Sequence, residues 1–235
     1  MNSSQSTYAL AILAHPDDEA FLLAGTSLKL GEQDKKVALI CATTGEKGVD
    51  RLSRNLTPEQ MAIIRTNELK AACGILGCDC KKIFDFGDGM LDQVNFDELV
   101  NVLKQEINSL KPQIIMTFGE EGISGHRDHI MIGRATVAAT QIAGQRPNEI
   151  WRACIPASLI DNFCEHLEQR KVHRLHFVKH NLKGVPDERL TKIDITKYKD
   201  QKIKALEAHR SQYLPHLTWP YFLECECFEI IKLKP

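Results

Sequence analysis

The sequence lacks several things that would each point to a function class. No apolar run approaches the roughly 20 residues that cross a bilayer. Residues 1–7 carry no basic region ahead of an apolar stretch, so neither a signal peptide nor a membrane anchor is expected. A basic excess is also missing: 30 Lys and Arg stand against 31 Asp and Glu, a net charge of −1. With the basic residues scattered rather than clustered, nucleic acid is not an expected partner, and a small-molecule substrate is. The first strand-to-helix turn has no G-x-G-x-x-G, which removes the main sign of a dinucleotide-dependent oxidoreductase. Linkers, internal repeats and low-complexity tracts are absent too. The 235 residues are therefore read as one domain, 1–235, long enough to bury a core without covalent staples. Homo-oligomerisation is compatible with the sequence but not readable from it.

Cysteine is not scarce. The chain has eight, but without a secretory leader they are expected to be free thiols in a reducing cytoplasm. Cys78 and Cys80, and Cys225 and Cys227, lie two apart, a spacing that puts each pair on one strand face and does not match a zinc knuckle. Asn55-Leu56-Thr57 fits a glycosylation acceptor that this compartment would leave unused.

Apolar runs at 8–14, 36–43, 80–86 and 113–118 read as strands, the first an almost unbroken run suited to a sheet covered on both faces. Between them fall helices at 21–30, closed by Gly31, and at 58–76, with Thr57 as cap, Pro58 at the first position and Gln60 completing a capping box. A third helix is capped by Asn95 and carries a stripe of Phe96, Leu99, Val100, Leu103, Ile107 and Leu110. After a glycine-rich loop at 119–125, a helix runs from His126 to about Ala143. This alternation predicts an α/β fold: a Rossmann-like, doubly wound, mostly parallel sheet with an elaborated C-terminal part. In that part strands are expected at 151–155, 174–178 and 226–233, and helices at 158–169 and 196–210.

Two clusters stand at the carboxyl ends of strands, where ligands bind in open α/β sheets. Ala14-His15-Pro16-Asp17-Asp18-Glu19 follows the first strand. Three acids in a helix's first turn can simply complement the helix dipole. Gly125-His126-Arg127-Asp128-His129, however, follows the fourth strand in the same way, and a coincidence of both is hard to credit. His15, Asp18 and His129 together make two imidazoles and a carboxylate with an open fourth position, a donor set that suits catalytic zinc and also ferrous iron or another divalent ion. Asp17 is then placed to take a proton from water. His126 is read as a cationic partner donating to an oxyanion or a leaving amine, with Asp128 orienting an imidazole. Glu19 stays open between dipole partner and an acid behind the ligands.

Ala-His-Pro-Asp-Asp-Glu at 14–19, Thr-Gly-Glu-x-Gly at 44–48 and His-x-Asp-His at 126–129 resemble the LmbE / PIG-L family of zinc-dependent N-acetylglucosaminyl deacetylases. That family includes enzymes of mycothiol and bacillithiol synthesis, chitobiose deacetylases and the GPI-anchor deacetylase. Arg65-Thr-Asn-Glu68, Asp88-Gly89 and the Lys202 to Gln212 stretch extend the match, while residues 145–195 follow it loosely. The resemblance implies His15, Asp18 and His129 as zinc ligands, Asp17 as general base, and His126 as oxyanion stabiliser and proton donor with Asp128 behind it. It also implies Glu46, Arg65, Asp88 and His209 as contacts to an acetylated amino sugar. By residue chemistry alone, Arg65 equally suits an ion pair with Glu68, Asp88 a turn, and His209 a helix end. Arg127 stands where the family usually has proline, and a cation there favours an anionic substrate. The function implied is cytoplasmic, hydrolytic N-deacetylation of an N-acetylglucosamine conjugate, such as a thiol-precursor glycoside or a chito-oligosaccharide. A non-catalytic metal- or sugar-binding module of the same fold, or a hydrolase of another amide, is the competing reading.

Overall fold

The computed structural model describes residues 6–169, 182–215 and 218–233. Seven strands form one sheet: β1 (Ala9–Leu13), β2 (Val37–Cys41), β3 (Cys78–Ile83), β4 (Ile114–Phe118), β5 (Glu149–Ala153), β6 (Leu190–Asp194) and β7 (Cys225–Lys232). Their spatial order is β3-β2-β1-β4-β5-β7-β6. The first five pair in parallel, while β7 runs antiparallel to both β5 and β6. Every residue of β1, β2 and β4 is buried, which is why these segments are apolar without alternation. The strand order reverses between β1 and β4, and the carboxyl ends of that pair frame a crevice suited to a ligand. Both histidine-acid motifs follow these two strands.

The helices are α1 (Asp18–Leu22), α2 (Ala24–Gly31), α3 (Pro58–Leu76), α4 (Phe96–Leu110), the single turn α5 (Gly122–Gly125), α6 (Arg127–Gln141), α7 (Ile160–Gln169) and α8 (Lys199–Ala208). The Thr57–Gln60 capping box forms at the start of α3, and Asn95 Oδ1 accepts the Glu98 N–H at the start of α4. Leu99, Leu103 and Ile107 of α4 pack with Ile132, Ala135 and Ala139 of α6 and with the central strands in one apolar cluster. Among the described residues, no helix is long and apolar enough to cross a membrane.

Several elements differ from expectation for identifiable reasons. The helix expected at 21–30 is two helices, broken at Leu23 (φ −130°). The Glu226 carboxylate reaches from β7 to accept the N–H groups of Gly25 (2.9 Å) and Thr26 (2.8 Å), capping a new helix start from across the fold. A Cβ at Gly25 would collide with Ile195, so the close approach of that segment depends on glycine. The third strand begins at Cys78, directly after Gly77 (φ 68°) ends α3. It then leaves regular pairing by Ile83, after the register shift opposite Leu39 and Ile40. The glycine-rich loop at 119–125 contains α5, with Ile123 at φ 64°. β5 spans 149–153 rather than 151–155, α8 starts at 199 after a tight turn at 196–198, and the edge strand β6 had no sequence signal. The strand expected at 174–178 lies outside the described residues. All eight cysteines are free thiols, and Cys225 and Cys227 share one strand face with sulfurs 3.7 Å apart.

Candidate active site

The site grows from the end of β1. His15 and Asp18 are buried and linked through the backbone, since the His15 N–H donates to Asp18 Oδ2 at 2.7 Å. From the start of α6, His129 stacks on Phe118 with ring centroids 4.1 Å apart. Its Nδ1 meets the Gly122 carbonyl at 3.0 Å, so that nitrogen is the N–H and Nε2 carries the lone pair. On His15, Nε2 faces Asp128 Oδ2 at 3.0 Å and Asp88 Oδ1 at 3.2 Å, which leaves Nδ1 turned inward. The inward atoms converge: His15 Nδ1 to His129 Nε2 is 3.1 Å, His129 Nε2 to Asp18 Oδ1 is 3.3 Å, and His15 Nδ1 to Asp18 Oδ2 is 3.7 Å.

The His15–His129 and His129–Asp18 spacings match the roughly 3.3 Å separating nitrogen or oxygen donors on one tetrahedral ion with bonds near 2.0–2.1 Å, while the His15–Asp18 contact is longer and goes to the other carboxylate oxygen. Two imidazole lone pairs and a carboxylate facing one another repel unless a positive charge lies among them. The protein alone draws a proton: burial disfavours the His15 cation, but hydrogen bonds to Asp128 and Asp88 and the Asp18 charge outweigh it and raise its pKa to about 10. The same negative field suits a divalent cation, which would compete with that proton. Among the described residues the groups whose ligand atoms lie close enough together to share an ion are His15-His126-His129 and His15-Asp88-Asp128, neither of which includes Asp18. The hydrogen bonds favour the set with Asp18. Asp128 is already occupied by the N–H groups of Gly89 (2.7 Å) and Leu91 (3.1 Å) as well as by His15. It sits where a carboxylate would orient the His15 imidazole.

Asp17 caps α1 with φ 114°, an uncommon backbone for a residue with a side chain. Arg65, buried on α3, lies with Nη2 3.2 Å from Asp17 Oδ2 and Nη1 3.8 Å from Asp88 Oδ2. Arg65 also donates to the Gly45 carbonyl at 2.8 Å and to the Pro16 carbonyl. Burial pushes the Asp17 carboxyl up to about 6, with Arg65 opposing and Asp18 adding to the rise. Gly45 (φ 68°) and Gly48 are glycines because a Cβ at either would strike the Arg65 guanidinium. The Arg65–Glu68 ion pair, the alternative reading of Arg65, does not form; Glu68 instead accepts from the Ser211 N–H and hydroxyl.

His126 caps α6, its Nδ1 accepting the Asp128 N–H at 3.2 Å, which makes Nε2 the N–H of the neutral ring. Burial, reinforced by the neighbouring His129 and His15, pushes its pKa down to about 3. His126 is therefore a neutral donor here, where the sequence reading expected a cation. Its ring lies 4.7 Å from that of His129 and 4.8 Å from that of His15.

Of the expected sugar contacts, Glu46 and Asp88 meet each other: the Asp88 N–H donates to Glu46 Oε1 at 2.7 Å. Glu46 also borders an open cleft of about 410 Å³ lined by Gly48, Asp50, Asn55, Leu56 and Met61. Arg65 lies beneath this surface, bonded to protein. His209 is 1% exposed, with Nε2 2.6 Å from Glu19 Oε1, so it contacts the site through Glu19. Arg127 is on the surface, 3.5 Å from Asp92. The backbone partners, the carbonyls of Pro16, Gly45 and Gly122 and the N–H groups of Gly89 and Leu91, have no signal in the sequence.

Fold and site together define a Rossmann-like α/β protein with a polar His/Asp centre at its switch point. A family model described as PIG-L, GlcNAc-PI de-N-acetylase, matches residues 10–140, and the chain belongs to this family of deacetylases. It is 28% identical to the 1D-myo-inositol 2-acetamido-2-deoxy-alpha-D-glucopyranoside deacetylase of Thermomonospora curvata, over 91% of this chain and 83% of that protein. It is 30% identical to the probable N-acetyl-alpha-D-glucosaminyl L-malate deacetylase 2 of Bacillus cereus, over 87% of this chain and 83% of the other. Among solved structures, the N,N'-diacetylchitobiose deacetylase of Pyrococcus horikoshii aligns with TM-score 0.69 at 20% identity, covering 97% of this chain and 85% of that one. The 4-carboxy-2-hydroxymuconate hydratase GalB of Pseudomonas putida aligns with TM-score 0.66 at 20% identity, covering 92% and 82%. The fold thus carries more than one reaction, and the site decides the chemistry.

Proposed function

We propose that this protein is a zinc-dependent deacetylase that hydrolyses the acetamide of a small N-acetylglucosamine conjugate. The observation that carries the reading is the convergence of His15 Nδ1, Asp18 and His129 Nε2 within 3.1–3.7 Å of one another, beside a buried acid and a neutral imidazole donor. A zinc ion held by His15, Asp18 and His129 would polarise the acetyl carbonyl and make water more acidic. Asp17, oriented by Arg65, accepts the proton of the attacking water as its oxygen bonds to the carbonyl carbon. His126 Nε2–H donates to the developing oxyanion, a role that suits a neutral ring. The proton on Asp17 then passes to the amide nitrogen, the C–N bond breaks, and acetate and the free amine leave. Asp128 holds His15 in the tautomer this arrangement needs. Glu46, at the edge of the open cleft, and Asp88, bonded to it, are the groups best situated to meet sugar hydroxyls.

The relatives' named substrates, a glucosaminyl inositol and a glucosaminyl malate, supply the panel for a test. Purified protein is assayed for released amine on acetylglucosamine linked to malate, inositol or a second acetylglucosamine, before and after chelation and with zinc added back. Zinc-dependent amine release on at least one conjugate is expected. Full turnover by metal-free protein would remove the metal from the reaction, and hydration of an unsaturated acid without amidase activity would favour the chemistry of the structurally similar hydratase.

A further inference from the structure

Glu19 and His209 form a buried pair directly behind Asp17, and no part of the reaction above uses them. Resting on the reading of Asp17 as base, we propose that Glu19 and His209 are positioning residues that hold Asp17 in its working geometry. Asp17 adopts φ 114°, a conformation that persists in a residue with a side chain only when its surroundings fix it. One fixing contact is on the backbone: the Asp17 N–H donates to Glu19 Oε2 at 3.1 Å. The Asp17 carbonyl also accepts the N–H groups of Ala20 (3.0 Å) and Phe21 (3.2 Å), and Arg65 lies on the side chain, 3.2 Å from Oδ2. Relaxing the backbone at Asp17 toward negative φ would swing the carboxylate off Arg65 and away from the ligand cluster.

Glu19 could not hold its pose by itself. It is 1% exposed, and its second oxygen is 2.6 Å from His209 Nε2, on a ring that is also 1% exposed. His209 in turn is anchored independently of Glu19. It follows the last residue of α8, and its carbonyl accepts the N–H groups of Gln212 (2.9 Å) and Tyr213 (2.8 Å). His209 Nδ1 is buried with no hydrogen-bond partner among the described residues. A polar atom left in that condition is costly, and the ring's one strong polar contact is the one to Glu19. The pair therefore links the C-terminal helix to the catalytic turn. His209 also lies beyond residues 10–140, the span of the family match.

The test compares Glu19→Ala, Glu19→Gln and His209→Gln with Ser211→Ala, which loosens α8 on α3 without touching Glu19. Removing the acceptor in Glu19→Ala is expected to lower kcat about 100-fold, the scale of a small misplacement of a reacting group, with KM and metal content unchanged. Glu19→Gln retains an acceptor for the Asp17 N–H and should recover much of that loss, while His209→Gln should lose roughly 10-fold, as for other supporting hydrogen bonds. A second readout needs no turnover: the Asp17 amide proton, deshielded by its carboxylate acceptor, should move upfield in Glu19→Ala but not in Ser211→Ala. An unmoved Asp17 amide in Glu19→Ala overturns the proposal, as does an equal loss of kcat in Ser211→Ala. If wild-type protein deacetylates nothing but the amide shift appears, the positioning stands and the assigned reaction fails.

Discussion

Adjacent carboxylates on one turn, Asp17 and Asp18, are driven in opposite directions by their surroundings. Burial disfavours charge on both, but electrostatic attraction to the imidazole cluster of His129 and His15, together with the His15 N–H, holds the Asp18 carboxyl well below the usual carboxylate range. Burial prevails at Asp17, where Arg65 is a partial counterweight. A ligand should be ionised and a base should bind protons readily, so the divergence suits the two roles. Replacing Asp17 by Asn is expected to leave the metal bound at its wild-type stoichiometry and to cut turnover about 100- to 10,000-fold, the range for losing a general base. Metal analysis alongside kinetics separates this from loss of a ligand. His209 supports a prediction about stability. Burial works against its charged form, yet the Glu19 charge and hydrogen bond overcome this and raise its pKa above 6.5. The folded chain then holds the proton more tightly than the unfolded chain. That stabilisation is complete below the ordinary imidazole value and lost as pH climbs through the raised one, so the gap between wild type and His209→Gln in urea unfolding should narrow as pH rises above about 6.5. A widening gap would mean the pair is not held together by a protonated ring.

At the level of elements, the sequence announced what is local and concealed what comes from a distance. The Thr57–Gln60 box, the apolar runs of β1, β2 and β4 and the pairing of two histidine-acid motifs were legible because their signals lie within a few residues. The break between α1 and α2 was not, because its cause is Glu226, some 200 residues away in the chain. Glu226 also takes the Lys202 ammonium at 2.7 Å, with the two side chains 1% and 0% exposed, and the Lys202 ammonium donates to the Phe21 carbonyl at the same distance. Burial lowers the Lys202 pKa against the pull of Glu226. Removing the acid strands a buried ammonium and uncaps α2, so Glu226→Ala should lose about 3–5 kcal/mol in chemical denaturation. A loss under 1 kcal/mol would show that water or a shifted Lys202 repairs the site.

For the molecule as a whole, the residues that meet the proposed reaction come from the first 130 positions, while several that brace their surroundings come from the last 50. His209 braces Glu19, Ser211 braces Glu68 of α3, and Glu226 and Lys202 fix the start of α2. Phe228 of β7 is fully buried in the same apolar cluster as β1 and β4. The C-terminal third looked like an elaboration in the sequence because its contacts are long-range and its edge strand β6 is short and only half-buried. These contacts argue that it is integral to the core instead. The full chain is expected to melt in one transition, coincident by fluorescence and circular dichroism. A chain ending at residue 145, which keeps every residue of the His/Asp centre, should show no cooperative transition. It loses the β5 and β7 partners of the sheet and the cap on α2, and each loss is comparable to the whole net stability of a domain of this kind, about 5–15 kcal/mol. If that fragment melted cooperatively and bound a stoichiometric metal ion, the C-terminal third would be an addition to a self-sufficient site, and the bracing of Asp17 from α8 would have to be dispensable for folding as well as for catalysis.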